Sequence, residues 1–482
     1  MKKIFLYLLP ALCIAAGCTK NIDSYNVPVK APSTVPPGPV FTYAVKQLVD
    51  GNADCAVGIN IFRHIVEHWC QATNEDGAQY SFNIDNTCDN WWNRLYVPVL
   101  SNLKTCDSLL VLNATLQAAA VVKNERTIVD IMEVYAFNEL TETFGNIPYS
   151  QALNYNNLTP VYDDAKTIQQ DLQKRLTADI AALDPTSGSF AATEDLFYGG
   201  VVSKWVAFAN TLQIKIAMTL ADVDDAGTKA IVEANNAKAF QTTATDVVWQ
   251  YLAVPNNNPT YQALVLSGRS DYVACTKLIN NLLSMQDPRL PFFFGTNTTG
   301  SYAGSYIGST AVFASVSKPA AGLQLATTPY TFMDLMDLEF YRAEAIERGY
   351  NIPGTAEQHY DSAIAMSIRA WGGTQAQALT YLARPDVAYT TAGGGAWTWR
   401  QKIGFQKWIA LYCRGFDGYT ELRRFDWPAM DVPTGAVSGF PTRFTYPATI
   451  YTEQGLNPAN YQAAAAAMGG DKATFKLYWD IN

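Results

Sequence analysis

The sequence predicts a mainly α-helical protein, in which a scaffold of paired helices carries a loop-rich lobe. Two observations predict this class. Apolar residues recur at helical spacing through long segments that end in Gly and Pro turns, whereas one internal stretch, about 247–329, is rich in Asn, Gly, Tyr and Pro. Since 49% of the 482 residues are hydrophobic, the chain can bury a sizeable core, and a disordered or collagen-like protein is excluded.

The first segment has the pattern of a secretion signal. Lys2 and Lys3 precede an apolar run over residues 4–16, which is shorter than the ~20 residues that a membrane-spanning helix needs. The run ends in Ala15-Ala16-Gly17-Cys18, which resembles a bacterial lipobox. We therefore predict a signal peptide over residues 1–17 and lipidation of Cys18, with ordinary secretion as the alternative. Two or three acyl chains would hold the protein on a membrane.

The next residues predict an extended tether. Residues 18–39 contain Pro28, Pro32 and Pro36 among Ser, Thr and Gly, a composition typical of linkers. The folded domain is then expected over residues 40–482, and no further segment of it is predicted to span a membrane. Its ligand-binding lobe is expected at about 247–329.

Charge and cysteine content exclude several partners and sites. The chain has 43 acidic against 34 basic residues and no Lys or Arg run, so a nucleic-acid-binding face is not expected. Six cysteines remain besides Cys13 and Cys18, and no C-x-x-C motif occurs. Six cysteines allow 15 disulfide pairings, and the sequence does not choose among them.

The scaffold is predicted from helical faces that follow one another along the chain. The three clearest faces are Ile128, Ile131, Met132, Tyr135 and Asn138; Ile168, Leu172, Leu176, Ile180 and Leu183; and Trp205, Phe208, Leu212, Ile216 and Leu220. A later helix is predicted from Thr331 to Arg348, followed by a turn at 349–354 and a helix containing Tyr360 and Ile364. Helix pairs of about 34 residues resemble tetratricopeptide repeats.

Five sequence blocks support a family resemblance. They are Phe144–Tyr149, Asp287–Pro291, Glu339–Ala345, Gln406–Leu411 followed by Glu421–Arg424, and Arg443–Pro447. Together, in this order and behind a lipoprotein signal, they resemble the SusD/RagB nutrient-binding outer-membrane lipoproteins, in particular the SusD-like branch.

The resemblance implies a fold, a function and a partner. It implies a tetratricopeptide-like scaffold with a loop-rich ligand lobe, anchored by lipid to the outer membrane of a Bacteroidetes-type cell and facing the exterior. The implied function is capture of an oligosaccharide or oligopeptide for a TonB-dependent, SusC-like outer-membrane channel. Neither catalysis nor a cofactor is implied. The alternative is a surface lipoprotein with a purely structural role.

One motif offers an enzymatic alternative. His64-Ile65-Val66-Glu67-His68 fits H-x-x-E-H, in which two histidines one helical turn apart bind zinc and the glutamate activates water. A third protein ligand is also needed, and His359 is distant in sequence. The alternative prediction places His64 and His68 on a partly exposed helix face without a metal.

A second motif suggests calcium. Asp222, Asp224, Gly227 and Glu233 occupy positions of a calcium-binding loop, but Ala226 stands where an oxygen ligand is needed. The simpler interpretation is a break between helices in which Asp224 caps the second helix.

The acidic residues of the family-like blocks have a structural interpretation. Glu339 and Glu344 lie near Arg342, and Glu421 precedes Arg423 and Arg424. We expect ion pairs between packed helices rather than the acid and nucleophile of a glycosidase, because spacing along one helix does not establish the separation that glycosidase chemistry needs.

Ligand binding is expected to depend on aromatic residues in loops, because sugar rings stack on aromatic faces. The segments free to vary are Asn74–Asp89 and Val247–Pro329. Their best candidates are the tyrosines that polar or glycine residues flank, namely Tyr80, Tyr261, Tyr302 and Tyr306. Asn256–Asn258, Arg269 and Asp271 are candidates for hydrogen bonds to the rim of a ring. The sequence does not decide between a glycan and a peptide ligand, and it slightly favours a glycan.

Overall fold

The computed structural model describes residues 35–82, 85–154, 156–449 and 458–482. The predicted signal peptide, Cys18 and most of the predicted tether lie outside these residues. The α-helices are α1 (Pro37–Ala53), α2 (Phe62–Ile65), α3 (Thr87–Arg94), α4 (Asn102–Leu112), α5 (Ala119–Phe144), α6 (Ala165–Ala182), α7 (Val202–Thr219), α8 (Asp225–Asn235), α9 (Pro259–Tyr261), α10 (Thr276–Ser284), α11 (Leu290–Phe293), α12 (Leu335–Glu347), α13 (Ala356–Ala370), α14 (Gln375–Leu382), α15 (Trp399–Ala410), α16 (Gly415–Phe425) and α17 (Pro458–Ala467).

The strands in these residues are short and form separate antiparallel pairs. They are β1 (Trp69–Gln71), β2 (Ile147–Pro148), β3 (Tyr162–Asp163), β4 (Val247–Trp249), β5 (Tyr272–Ala274) and β6 (Tyr330–Met333). β1 pairs with β5, β2 with β3 and β4 with β6. The prediction of a mainly α-helical, tetratricopeptide-like protein is confirmed.

The first helix begins slightly before the predicted domain boundary. α1 starts at Pro37, three residues ahead of position 40, and residues 37–482 form one compact unit. Proline suits the first turn of a helix because its missing N–H would have no partner there. Residues 37–39 are therefore part of the folded domain rather than of a tether.

Consecutive helices pack against each other as the predicted faces require. α5 packs on α6, α6 on α7, and α12 on α13. The predicted apolar faces of α5 and α7 are buried, as is that of α6 apart from the half-buried Ile180. The helix expected from Thr331 begins instead at Leu335, because residues 330–333 form β6 and Asp334 caps the helix by accepting a hydrogen bond from the Asp337 N–H.

Three helices of the second half begin with the same local motif. Thr355, Thr374 and Thr398 each accept a hydrogen bond from the main chain three residues later, and a glutamine at that third position bonds back to the threonine N–H. This capping box satisfies two N–H groups that the helix leaves open, which fixes the starts of α13, α14 and α15.

The helical stretch Thr87–Leu112 is long and apolar enough to cross a membrane by length and composition, which the sequence analysis did not predict. In this fold it packs against α1 and α5. Trp91, Leu95 and Val99 are fully or almost fully buried on its inner side. Its apolar character therefore serves the scaffold of the folded domain.

Ion pairs fill the space between α12, α15 and α16, as the family-like blocks suggested. Lys407 is fully buried, with Nζ 2.9 Å from Asp337 Oδ1 and 3.2 Å from Glu421 Oε2. Arg424 lies 2.7 Å from Glu344 and 2.6 Å from Glu421. The cationic side chains lower the pKa of Asp337 even though burial opposes ionisation. We call this set of residues, together with Arg414, Asp334 and Asp417, the charged core.

The stretch 247–329 consists mainly of loops, with short strands and helical turns and one helix of nine residues. That helix, α10, matches the helix expected at about Thr276–Met285. Trp249, Tyr251 and Leu278 of this stretch belong to the same apolar core as the helical scaffold. Its loops are thereby held on a rigid base.

Candidate ligand-binding surface

Three loop segments from distant parts of the chain form one surface. Residues 72–82, 301–311 and 431–438 are joined by main-chain hydrogen bonds, which run from Ala311 N to Ala72 O, from Thr434 N to Ile307 O and from Val437 N to Gln79 O. We call this assembly the loop surface. The segment 301–311 lies within a region predicted to bind ligand, and 72–82 does so from Asn74 onward. The segment 431–438 was not predicted, although its Pro433 and Gly435 mark a turn.

Gly308 permits the close approach of two of these segments. Its φ is +73°, and a Cβ at this position would lie 2.5 Å from the carbonyl oxygen of Thr434. Only glycine accepts both the left-handed conformation and this contact at low cost. The Gln79 side chain also donates to Gly308 O at 3.1 Å, so all three segments meet at this residue.

Two of the three predicted tyrosines in the loop surface differ sharply in exposure. Tyr306 is 66% exposed, and Val432 and Val437 beside it in the assembly are also exposed. Tyr80 is only 5% exposed, with Phe82 and Phe440 packed nearby. Tyr80 borders a groove of about 350 Å³ but has no free ring face on which a sugar could stack. The predicted binding role of Tyr80 therefore does not fit its burial, since its ring packs against Phe82 and Phe440.

The other two predicted tyrosines are half-buried. Tyr302 belongs to the 301–311 segment and packs against the main core. Tyr261 ends α9, on a different part of the lobe, where Asn258 and Thr260 bond to Thr328 and Ala53. None of the hydrogen bonds or ring contacts within the described residues joins Tyr261 to the loop surface. The structure thus brings Tyr302 and Tyr306 into one segment but leaves Tyr261 apart.

The predicted hydrogen-bonding rim is largely occupied by internal contacts. Asp271 is buried and accepts hydrogen bonds from Gln71, from Thr73 and from Arg269. Asn258 caps α9 by accepting from the Thr260 N–H at 2.7 Å. The side chains of Asp271 and Asn258 hold the loops in place through hydrogen bonds within the protein.

Glu67 anchors the unpredicted segment of the loop surface. Its Oε1 accepts the Asp431 N–H, and its Oε2 accepts the Cys275 thiol at 3.7 Å. Lys277 also binds Asp431, at 2.7 Å. Burial raises the pKa of Glu67 to about 7, although nearby Lys277 favours the charged form. The glutamate of the sequence motif is thus a structural acceptor beneath the loops.

The two histidines of that motif do not form a metal site. α2 ends at Ile65, and Glu67 has a left-handed φ of +52°, so His64 and His68 are not one turn apart on a helix. His68 Nε2 donates to the Trp408 carbonyl at 2.9 Å, and both histidines are fully or almost fully buried. Within the described ranges, no three His, Cys, Asp or Glu side chains are placed to hold a metal. The hypothesis of a zinc peptidase is therefore wrong, and so is the alternative that places both histidines on a partly exposed helix face.

The calcium-like loop is a helix cap, as the simpler interpretation held. Asp224 Oδ1 accepts the Gly227 N–H at 3.1 Å, and α8 begins at Asp225. Asp222 instead forms ion pairs with Arg348 and Arg400, which lower its pKa despite its partial burial. The side chain that would lead a calcium loop therefore binds arginine.

The six cysteines of the described part are free thiols. Five of them are buried, and Cys413 is half-buried. Cys70 and Cys275 belong to the same small apolar cluster beneath the loop surface. The structure thus selects none of the possible disulfide pairings.

Comparison with protein families gives one match over most of the chain. Residues 29–447 match the SusD-like family, which is described as "Starch-binding associating with outer membrane". No curated protein sequence is similar enough to match.

Solved structures share this architecture over nearly the whole chain. A chitin-binding protein is 25% identical, with a TM-score of 0.77, and the alignment covers 92% of this chain and 100% of that one. A chitin-binding SusD homolog from Flavobacterium johnsoniae is 22% identical, with a TM-score of 0.77 and coverage of 92% and 98%. A SusD homolog from Bacteroides uniformis is also 22% identical, with a TM-score of 0.77 and coverage of 92% and 99%. The two structures at 22% identity are alike in fold alone.

Proposed function

This chain belongs to the SusD-like family, and we propose that it captures an oligosaccharide at the cell surface and delivers it to a partner TonB-dependent outer-membrane channel. The observation that carries the proposal is the family match over residues 29–447. The description of that family includes both starch binding and association with the outer membrane. In this role the protein is a binding protein and performs no catalytic step.

A glycan ligand is favoured over a peptide. Two of the similar structures are described as chitin-binding. Tyr306, Tyr302 and Tyr261 retain exposed ring surface in the lobe, and stacking on aromatic rings suits the apolar faces of sugars. Calorimetry against chitin and starch oligosaccharides and a panel of oligopeptides tests this choice. Binding of peptides alone would overturn the glycan proposal, and binding of neither class would favour a purely structural lipoprotein.

Membrane attachment is proposed to depend on Cys18, because the thiol is the acyl acceptor. Cys18→Ser should abolish incorporation of a labelled fatty acid and release the protein from the membrane fraction. Cys13→Ser, within the predicted signal peptide, is the matched control and should leave labelling unchanged. Labelling that persists in Cys18→Ser would contradict the proposed anchor.

The channel partnership can be tested separately from ligand binding. Helical repeat arrays offer extended surfaces that bind protein, and we propose that the scaffold contacts the channel while the loop lobe contacts the nutrient. Mild detergent extraction of native membranes should recover the two proteins together. Recovery of the lipoprotein alone at native expression would oppose the partnership but would leave glycan binding untouched.

A further inference from the structure

A cavity of about 330 Å³ lies between the loop lobe and the helical scaffold. One side is formed by residues 258–260, 322–323 and 328–331, and the other by parts of α12, α13 and the turn after α15. We call it the inner cavity. None of its lining residues belongs to the three segments of the loop surface, so it is a separate place in the molecule.

One wall of the inner cavity is aromatic. Phe292, Trp371 and Tyr412 line it, and Phe292 and Trp371 are half-buried. The wall is rigid, because Tyr412 stacks on Phe293 with ring centroids 3.9 Å apart and Trp371 packs edge-on to Tyr412 at 5.5 Å. Aromatic rings held in place in this way favour ligands that present a ring face.

Two polar atoms at this cavity have no partner among the residues that the structure describes. The Tyr330 hydroxyl and Asp334 Oδ2 form no hydrogen bond within the described residues. Both atoms remain accessible to solvent, whereas other unpaired polar atoms of this protein, such as the ring nitrogens of His64, are completely buried. Asp334 Oδ1, in contrast, accepts from Arg414 at 2.8 Å. A phenol and a carboxylate oxygen that are largely desolvated but unpaired need a donor or an acceptor from water or from a ligand.

The charges around the cavity favour a neutral ligand. Arg63 is buried, donates to the carbonyls of Ala53 and Cys413, and pairs with no carboxylate among the described residues, so it opposes a cationic ligand. Arg414 also lines the cavity, but Asp334, Asp337 and Asp417 pair with it, and the unpaired Oδ2 of Asp334 opposes an anionic ligand. The cavity volume is near the low end of the ~300–1,000 Å³ typical of small-molecule sites, so it suits one ring rather than a chain.

We propose that the inner cavity binds a single neutral hydroxylated ring, the size of one sugar unit, with a ring face on Trp371 and hydroxyl groups on Tyr330 and Asp334. The choice of carbohydrate rests on the proposed function, whereas the site itself does not. An oligosaccharide held on the loop surface and a single ring held in the inner cavity are two distinct binding events.

The test uses the full chain with glucose, galactose and N-acetylglucosamine as probes. At least one should bind with a millimolar dissociation constant in calorimetry, and crystals soaked in it should show a ring beside Trp371. Tyr330→Phe removes one hydrogen bond and should weaken this binding about fivefold. Because the Tyr330 hydroxyl has no protein partner, the variant should melt at the wild-type temperature.

Tyr43→Phe is the matched control. Tyr43 is 49% exposed on α1 and lines no part of the inner cavity, so loss of its hydroxyl should leave binding unchanged. Equal weakening in the two variants, or water alone in the cavity with no sugar bound, would overturn the proposal. Oligosaccharide affinity measured in parallel separates the two functions: its absence alongside monosaccharide binding would overturn surface capture and leave the inner cavity standing.

Discussion

The charged core and the loop surface handle polar groups in opposite ways. In the charged core, Lys407 lies between two carboxylates and is fully buried, so each charge is matched inside the protein. In the loop surface, the segments are held by main-chain hydrogen bonds, and Tyr306 remains open to solvent. The buried ion pairs define one arrangement of helices, whereas the loops carry the groups that a ligand can still reach.

Substitutions in the charged core should therefore affect stability, whereas substitutions of exposed residues in the loop surface should affect binding. A buried charge that loses its partner is costly because it cannot recover its hydration. Truncation of an exposed aromatic ring costs the protein little stability, because water already surrounds the ring in the folded state.

Lys407→Met should lower the free energy of unfolding by about 3–5 kcal/mol, because Asp337 and Glu421 are left buried without their shared cation. Chemical denaturation of both proteins at pH 7 measures the effect. Lys229→Met is the matched control, since Lys229 is 45% exposed and lies 3.9 Å from Glu233, and it should change stability by less than about 0.5 kcal/mol. Similar losses in both variants would contradict the contrast.

His64→Phe should change how stability depends on pH. Burial lowers the pKa of His64 to about 4, and neither ring nitrogen has a partner in the described residues. Below the unfolded pKa of about 6.5, the unfolded chain binds a proton that the folded protein excludes, so the wild type loses stability as pH falls toward 4. This contribution is absent in the variant, which should gain about 2 kcal/mol relative to the wild type between pH 7 and pH 5.

Denaturation midpoints across this pH range provide the measurement for His64. The difference between the two proteins in the slope of midpoint against pH reports on His64, because buried acids such as Glu67 titrate in both proteins alike. Parallel curves for wild type and His64→Phe would show that folding does not shift the pKa of His64, which would contradict the prediction.

Tyr306→Ala should weaken oligosaccharide binding by about 1 kcal/mol, or about fivefold, with little change in melting temperature, because its ring is exposed. Tyr80→Ala provides the contrast, since removal of a buried ring should lower stability first. Calorimetry and thermal melting of both variants separate the two effects. Unchanged affinity in Tyr306→Ala would place the ligand on another surface.

The helices could be predicted because their apolar periodicity is a direct consequence of packing. The faces of α5 and α7 appear in the sequence at the spacing that the core requires. Local motifs that depend on one backbone angle could not be predicted in the same way. α2 ends at Ile65, and the left-handed conformation of Glu67 breaks the helical spacing between His64 and His68.

The exposure of loop tyrosines was the least predictable property. Tyr80 and Tyr306 have similar polar or glycine neighbours in sequence, yet one is buried and the other open. What separates them is coverage by a distant residue, because Phe440, far away along the chain, packs edge-on against Tyr80. A pattern confined to the neighbourhood of each tyrosine contains no information about that coverage. The inner cavity was missed for the same reason, because Tyr330 and Trp371 meet only in the fold.

The assembly of the loop surface has a consequence for the order of folding. Gln79 and Gly308 are separated by 229 positions, and Glu67 and Asp431 by 364, so the surface depends on contacts of very long range. Such contacts close late, because the intervening chain must first lose its conformational freedom. During synthesis or export from the N-terminus, helical units can form early, but the loop surface exists only once residues 431–438 have arrived. If the loop surface binds the ligand, as we propose, grafting a single loop from a relative would accordingly fail to transfer ligand preference unless the two segments that meet it were exchanged as well.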